Sequence, residues 1–284
     1  MPALDGKTCV ITGATSGIGL ATAEGLARQG ARLVLVGRDR AKGEATLALL
    51  RARRPECDAS MLYADLATLA GVRQATTQIL AAAPRIDVLI NNAGAIFDRR
   101  GETEDRLERT FALNHMAYFL LTRLLEERIV ASAPARVVVV ASRAHYGASL
   151  DFADLQMAKR YDGWTAYRRS KLCNILFTRV LARRLADRGV TANALHPGFV
   201  ASRFGDNNRG LFRLGLSFAK RIIAISTAEG AETPVYLAAS PEVANATGLY
   251  FTRCRPVTPS RAAQDDATAE RLWQESARLA GVPA

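Results

Sequence analysis

The chain has 284 residues, 49% of them hydrophobic, which is enough to bury one sizeable core, and no linker-like run, proline cluster or internal repeat divides it. Its four cysteines, Cys9, Cys57, Cys173 and Cys254, lie far apart and make no C-x-x-C pair or cysteine–histidine cluster, which argues against a metal site and for a reducing compartment. The formal charge of +11 is the excess of 38 basic over 27 acidic residues, the basic ones spread along every segment, so no nucleic-acid partner is expected, and the excess reads as a solvated arginine-rich surface with sites for anionic small ligands.

In chain order, β-branched runs alternate with amphipathic stretches of helical length. Thr8 to Thr12 is a strand and Ile18 to Gln29 a helix; Arg32 to Val36 and Ala41 to Arg53 repeat the pair. Ala59 to Tyr63, Val88 to Asn91, Arg136 to Ala141 and Thr191 to Leu195 are further strands, and a long helix runs from Trp164 to Ala186. Parallel neighbours need crossover connections, so this alternation predicts an α/β fold: a single-domain, Rossmann-type, doubly wound parallel sheet of about seven strands with helices on both faces. Strand interiors such as VVVVA are apolar throughout, as in a sheet buried on both sides. Such sheets bind ligands outside the carboxyl ends of their strands, which makes the residues just after each strand the candidates for chemistry.

The first strand runs into TGATSGIG, Thr12 to Gly19, and straight into a helix. Gly13, Gly17 and Gly19 permit a tight turn and close approach to a pyrophosphate, whose charge the free N–H groups and positive end of the helix stabilise. Glycines at this spacing can also be a turn and a packing contact. Their place between strand and helix points instead to a dinucleotide site at Gly13, Thr15, Ser16, Gly17, Ile18 and Gly19. The second strand ends in Gly37 and Arg38, where a dinucleotide fold inspects the adenosine ribose. An acidic residue there would repel a 2′-phosphate. A guanidinium bonded to it contributes about 1.5–3 kcal/mol, roughly a ten- to hundredfold preference for NADP(H). The alternative for Arg38 is a solvated arginine beside Asp39.

YRRSK, Tyr167 to Lys171, lies within the long helix. Four residues make about one turn, so the phenol and the ammonium share a face while Arg168 and Arg169 point elsewhere. A positive charge about 4 Å from the phenol supplies on the order of 4 kcal/mol at an effective dielectric of ~20, so Lys171 is expected to bring the tyrosine pKa down into working range. The pair alone is weak, because chance produces it readily. Strand five ends VVVVASRAHYG, with Ser142 at the carboxyl edge of the sheet; strand four ends INNAG, Asn91 to Gly94, whose small residues leave room for a cofactor; and ALNH places Asn114 on the intervening helix. Each has an ordinary alternative as a turn residue or a helix polar group. Their joint order makes Asn114, Ser142, Tyr167 and Lys171 the candidate catalytic set.

These residues resemble the short-chain dehydrogenase/reductase superfamily, which shares TGxxxGxG, NNAG, an Asn, a Ser, YxxxK and a following Pro-Gly, over nearly the whole chain. Within it the sequence is most similar to the retinol dehydrogenase branch, through GRDRAKGE, the insertion LDFADLQMAKRYDGWTAY, SKLCNILFTRVLARRL, HPGFV and the tail RLWQESARLAG. The resemblance implies that Tyr167 donates or accepts the substrate proton, Ser142 holds the carbonyl oxygen, Lys171 lowers the tyrosine pKa and grips the ribose, and Asn114 supports a water relay to Lys171. It further implies that Asp65 with Leu66 contacts adenine, that Asn92, Ala93 and Gly94 flank the adenosine and ribose, and that Pro197, Gly198, Val200 and Ser202 lie toward the nicotinamide. Asp65 has a structural alternative as a helix cap before Thr68.

Membrane-bound retinol dehydrogenases carry an amino-terminal hydrophobic anchor, whereas here polar Asp5, Gly6 and Lys7 directly precede strand one, so retinoid specificity is not carried over. No window reaches the roughly 18 apolar residues of a membrane span; a soluble, cytoplasmic chain without a transmembrane segment is expected. The amphipathic, basic segment 210–226 stands open as part of a substrate lid over 199–226, as a core helix or as a peripheral membrane contact. Pairing between subunits is equally open. The expected activity is NADP(H)-dependent reduction of an aldehyde or ketone, or the reverse, on a small apolar substrate. A catalytically silent NADP-binding regulatory or scaffold protein and a carbon–carbon double-bond reductase are the alternatives.

Overall fold

The computed structural model describes residues 3–198 and 226–284. Eight strands form one sheet in the order β3-β2-β1-β4-β5-β6-β7-β8: β1 Thr8–Thr12, β2 Arg32–Gly37, β3 Ala59–Tyr63, β4 Val88–Asn91, β5 Ala135–Val140, β6 Val190–Leu195, β7 Tyr250–Thr252 and β8 Arg255–Pro256. All pairings are parallel except the last, in which the two-residue β8 turns back against β7. That hairpin is the addition to the expected sheet. Two residues, one of them proline, carry no strand period to read.

Alternation along the inner strands feeds two cores. Val10, Val34 and Val36 point to one face with Val72 and Ile79, while Cys9, Ile11, Leu33 and Leu35 point to the other with Leu26 and Leu50. The second face is covered by α1 Gly17–Arg28, α2 Arg40–Arg53 and α6 Thr227–Ala239. The first is covered by α3 Leu69–Ala82, α4 Ala117–Ala131, α5 Gly163–Arg184 and α7 Asp266–Ala280. The strand order reverses between β1 and β4, so the loops that follow these two strands part there and open a crevice at the carboxyl edge.

α5 carries the expected tyrosine and lysine, and its start is fixed by Asp162, whose side chain accepts from the Thr165 N–H. α7 packs along its outer side. Trp273, fully buried, stacks on Phe177 with ring centres 5.8 Å apart and meets Phe119 edge-on at 5.1 Å. Arg179 and Arg183 pair with Asp266, and Arg184 with Glu270. These exposed pairs set register more than they add stability, which comes from the aromatic burial. Trp273→Ala is expected to lower unfolding stability by about 3–5 kcal/mol in chemical denaturation; a loss under about 1 kcal/mol would show that α7 does not brace α5.

Candidate active site

The crevice is built from two loops clipped together. After β1, Thr12 Oγ1 accepts the N–H groups of Asn92 (2.9 Å) and Ala93 (3.1 Å), while Asn92 Nδ2 donates to the carbonyls of Thr12 (2.9 Å) and Gly13 (3.2 Å). Asn92 and Ala93 therefore serve first to hold the β4 loop against the β1 loop. Thr12 is the residue that motif reading misses, since by sequence it marks only the end of a strand. A Cβ on Gly13 would stand 2.7 Å from the Ala93 Cα, and one on Gly19 would stand 2.3 Å from the Gly13 carbonyl, so both glycines are demanded by close approach. Gly13 and Gly17 also have φ of +68° and +57°, a conformation open to glycine. The Thr15 methyl packs over Gly37, where a Cβ would stand only 2.8 Å from it.

α1 opens at Gly17, with Ile18 in its first turn. Its cap residue Ser16 makes no side-chain cap bond, and no acidic residue lies in the first turn. The positive end of a twelve-residue helix therefore points into the crevice with neither a side-chain cap nor an acidic residue of its own first turn to neutralise it. At the end of β2, Arg38 is 74% exposed and its Nη1 lies 3.5 Å from Asp65 Oδ2. Asp39, its expected alternative neighbour, instead caps α2 by accepting from the Lys42 N–H. Asp65 does not cap α3: Thr68 does, accepting from the Gly71 N–H, and Asp65 accepts from the Ala67 N–H. Leu66 is buried in the core.

At the other side of the crevice, Ser142 follows β5 and caps a short 3-10 turn, accepting the Ala144 N–H at 3.1 Å. The Tyr167 phenol faces Ser142, whose side chain pulls the phenol pKa downward. Lys171, one turn on, is buried and donates to the Val140 carbonyl at 2.9 Å. Asn114 lies in a π-turn, Ala112–Met116, leading into α4; such a widened turn places a side chain that a regular helix would aim elsewhere. Its Oδ1 accepts the Ala95 N–H at 2.9 Å, and its Nδ2 donates to the Ala95 carbonyl (2.9 Å) and to Ser170 Oγ (3.0 Å). A Cβ on Gly94 would come within 3.1 Å of Asn114 Oδ1 and 3.6 Å of Lys171 Nζ, so this glycine lets the β4 loop reach both. The four candidate catalytic side chains are thus brought to one place.

The expected electrostatics are corrected. Burial pushes the Tyr167 phenol up to about 12 and lowers the Lys171 amine to about 7; the nearby Ser142 side chain is what favours the phenolate. The ammonium stands 5.7 Å from the Tyr167 ring centre and is turned to Val140, so its attraction for the phenolate is weaker than a 4 Å separation suggests, and desolvation dominates.

Two further residues join the site. His145 is buried three positions after Ser142; its Nε2 accepts the Ser260 N–H at 3.1 Å, which leaves Nδ1 to donate to the Ser142 carbonyl at 2.7 Å. Trp164 stacks on Tyr167 with ring centres 5.7 Å apart and is 42% exposed. Pro197 and Gly198 follow β6 at the same edge, and the Gly198 N–H donates to His196 Nδ1 at 3.0 Å. Val200, Ser202 and all of the expected lid 199–226 except Ser226 lie outside the described residues. Among the described residues no group of His, Cys, Asp and Glu comes together as a metal centre needs, and no helix is long and apolar enough to cross a membrane.

Residues 7–210 match the short chain dehydrogenase family. The chain belongs to that family. It is 42% identical to retinol dehydrogenase 12 of Mus musculus, over 98% of this chain and 88% of that one, in line with the branch its sequence resembles. An uncharacterized protein from Mycobacterium Paratuberculosis has the same fold with a TM-score of 0.79 and 33% identity, covering 100% of this chain and 97% of that one. A short chain dehydrogenase from Burkholderia cenocepacia J2315, solved in complex with NADP, aligns with a TM-score of 0.69 and 25% identity over 93% of this chain and 100% of that one. As a short-chain dehydrogenase the chain is an oxidoreductase with a nicotinamide dinucleotide cofactor. The crevice fits one: the uncapped start of α1 suits a pyrophosphate, and Gly13 and Gly94 keep side chains out of the path between the two loops.

Proposed function

We propose that this short-chain dehydrogenase reduces an aldehyde or ketone to an alcohol, or runs the reverse, with NADP(H) and a small apolar substrate. The observation that carries the reading is the Tyr167 phenol facing Ser142 at the carboxyl edge of β5, with Lys171 and Asn114 beside it. The cofactor is held by the β1 loop from Gly13 to Gly19, by Arg38 and Asp65 at the adenosine end, by Asn92, Ala93 and Gly94, and by Lys171 and the Pro197–Gly198 turn. When bound there, the nicotinamide supplies or accepts the hydride.

The chain's own residues do the rest. Ser142 orients the substrate oxygen, and Tyr167 gives that oxygen its proton in reduction and takes it back in oxidation. Both groups are fixed in advance by the 3-10 turn and by α5, so they stabilise charge where it develops in the transition state without reorganising. Lys171, while charged, favours the phenolate, and Asn114 holds the β4 loop and Ser170 in register beside it.

Arg38 supports NADP(H). It is exposed at the end of the second strand, and its contact with Asp65 is long and solvated, so a 2′-phosphate can displace it. The usually reduced state of the cellular NADP pool then favours the reductase direction. Exposed Tyr146 and Trp164, next to His145 and stacked on Tyr167, support an apolar substrate. The four unpaired cysteines fit a reducing compartment, and we place the protein in the cytoplasm.

A panel of aldehydes, ketones and quinones, followed by NADPH absorbance and product analysis, tests the reaction: an alcohol product is expected, whereas a saturated carbon–carbon bond or no turnover on any carbonyl would overturn it. In the same assay Arg38→Asp is expected to shift the ratio of NADPH to NADH efficiency about ten- to a hundredfold toward NADH; an unchanged ratio would remove Arg38 from the cofactor site. Trp164→Ala is expected to raise KM for the preferred carbonyl about 2- to 10-fold with kcat little changed; an unaltered KM would take Trp164 out of the substrate's path.

A further inference from the structure

Lys171 is in an unusual position for a charged group. It is 4% exposed, its amine donates to the Val140 carbonyl, and among the described residues no carboxylate contributes to its electrostatics. A buried ammonium needs a counter-charge or dipoles to remain charged. β5 gives it one carbonyl and the β4 loop gives it Gly94, neither of which titrates.

Two aromatic rings also face it. Lys171 Nζ lies over the ring of Tyr118 in α4, 5.6 Å from its centre, as well as 5.7 Å from that of Tyr167 on its own helix. Tyr118 is 1% exposed and stands one turn beyond Asn114, so the helix that holds the β4 loop with one side chain faces the lysine with the next. Burial holds the Tyr118 phenol protonated, well above its ordinary pKa, and its hydroxyl has no partner among the described residues. What Tyr118 offers Lys171 is therefore its ring face, whose quadrupole attracts a cation most strongly where water is excluded. His115, the other titratable group on this stretch of helix, is kept neutral by burial, at about 3, and supplies no charge.

We propose that Tyr118 is a positioning residue for Lys171: its ring, 5.6 Å from the ammonium, keeps the buried lysine charged and in place below Tyr167. This rests on the functional reading above, in which a charged Lys171 favours the Tyr167 phenolate. Oxidation requires the phenolate, so its rate rises with pH through the tyrosine titration. A neutral Lys171 gives the phenolate no support, so a lower lysine midpoint slows oxidation near neutral pH.

The chain has five lysines, Lys7, Lys42, Lys159, Lys171 and Lys220, so the Lys171 signal can be assigned in protein carrying 13C-labelled lysine and titrated directly by NMR. Tyr118→Phe keeps the ring and is expected to leave both the Lys171 midpoint and the oxidation profile at their wild-type positions. Tyr118→Leu, or Tyr118→Met should the leucine protein not fold, is expected to lower the Lys171 midpoint by about 0.4–1.5 pH units and to slow oxidation at pH 7. An unchanged lysine midpoint in the leucine or methionine protein would overturn the proposal, as would a Tyr118→Phe protein that shifts as far as Tyr118→Leu. Wild-type protein without turnover on any alcohol or carbonyl would sink the functional reading instead, and the NMR titration would still decide whether the ring holds the charge.

Discussion

The constraint on which the rest depends is desolvation at the inner face of α5. Tyr167 and Lys171 are both buried there, and water is replaced by a small set of fixed groups: the Ser142 hydroxyl, the Val140 carbonyl and two aromatic rings. Burial penalises the charged form of each, so the proton chemistry is governed by which preformed dipoles support the phenolate and which support the ammonium. A site of this kind needs rigid walls. A shift of either helix by a fraction of an ångström would leave a buried polar group without its partner, at a cost of about 1–3 kcal/mol.

Those walls come from opposite sides of the helix. On the inside, β5 presents Val140 and Ser142, and the π-turn before α4 aims Asn114 at Ala95 and Ser170. On the outside, α7 closes the aromatic stack of Phe119, Phe177 and Trp273, and His115 reaches Ser276 on α7 at 2.8 Å. The segment before α7 also reaches the catalytic turn, through the Ser260 N–H bonded to His145. The carboxyl-terminal region is in this way coupled to Ser142 by direct hydrogen bonding as well as by packing.

What was legible in the sequence was local. β-branched runs gave the inner strands to within a residue or so; the glycines after β1 and the four-residue spacing of Tyr167 and Lys171 gave a shared face and a strand-end location. Relations between distant residues were not legible. Thr12 is 80 residues from Asn92, and His145 is 115 from Ser260, so no window of sequence contains either contact. The π-turn around Asn114 has no period of its own. The expected lowering of the tyrosine pKa failed for the same reason: helical spacing reports that the two groups share a face, while their protonation depends on burial against β5 and α4, which only the assembled chain supplies.

The central claim is that the Tyr167 phenol, beside Ser142, transfers the substrate proton. Its most direct measurement is single-turnover reduction of a preferred carbonyl by Tyr167→Phe with prebound NADPH, read beside the dissociation constant of the cofactor. The expected result is a rate lower by about 100-fold or more with cofactor affinity kept within a few-fold. A rate within a few-fold of wild type would contradict it.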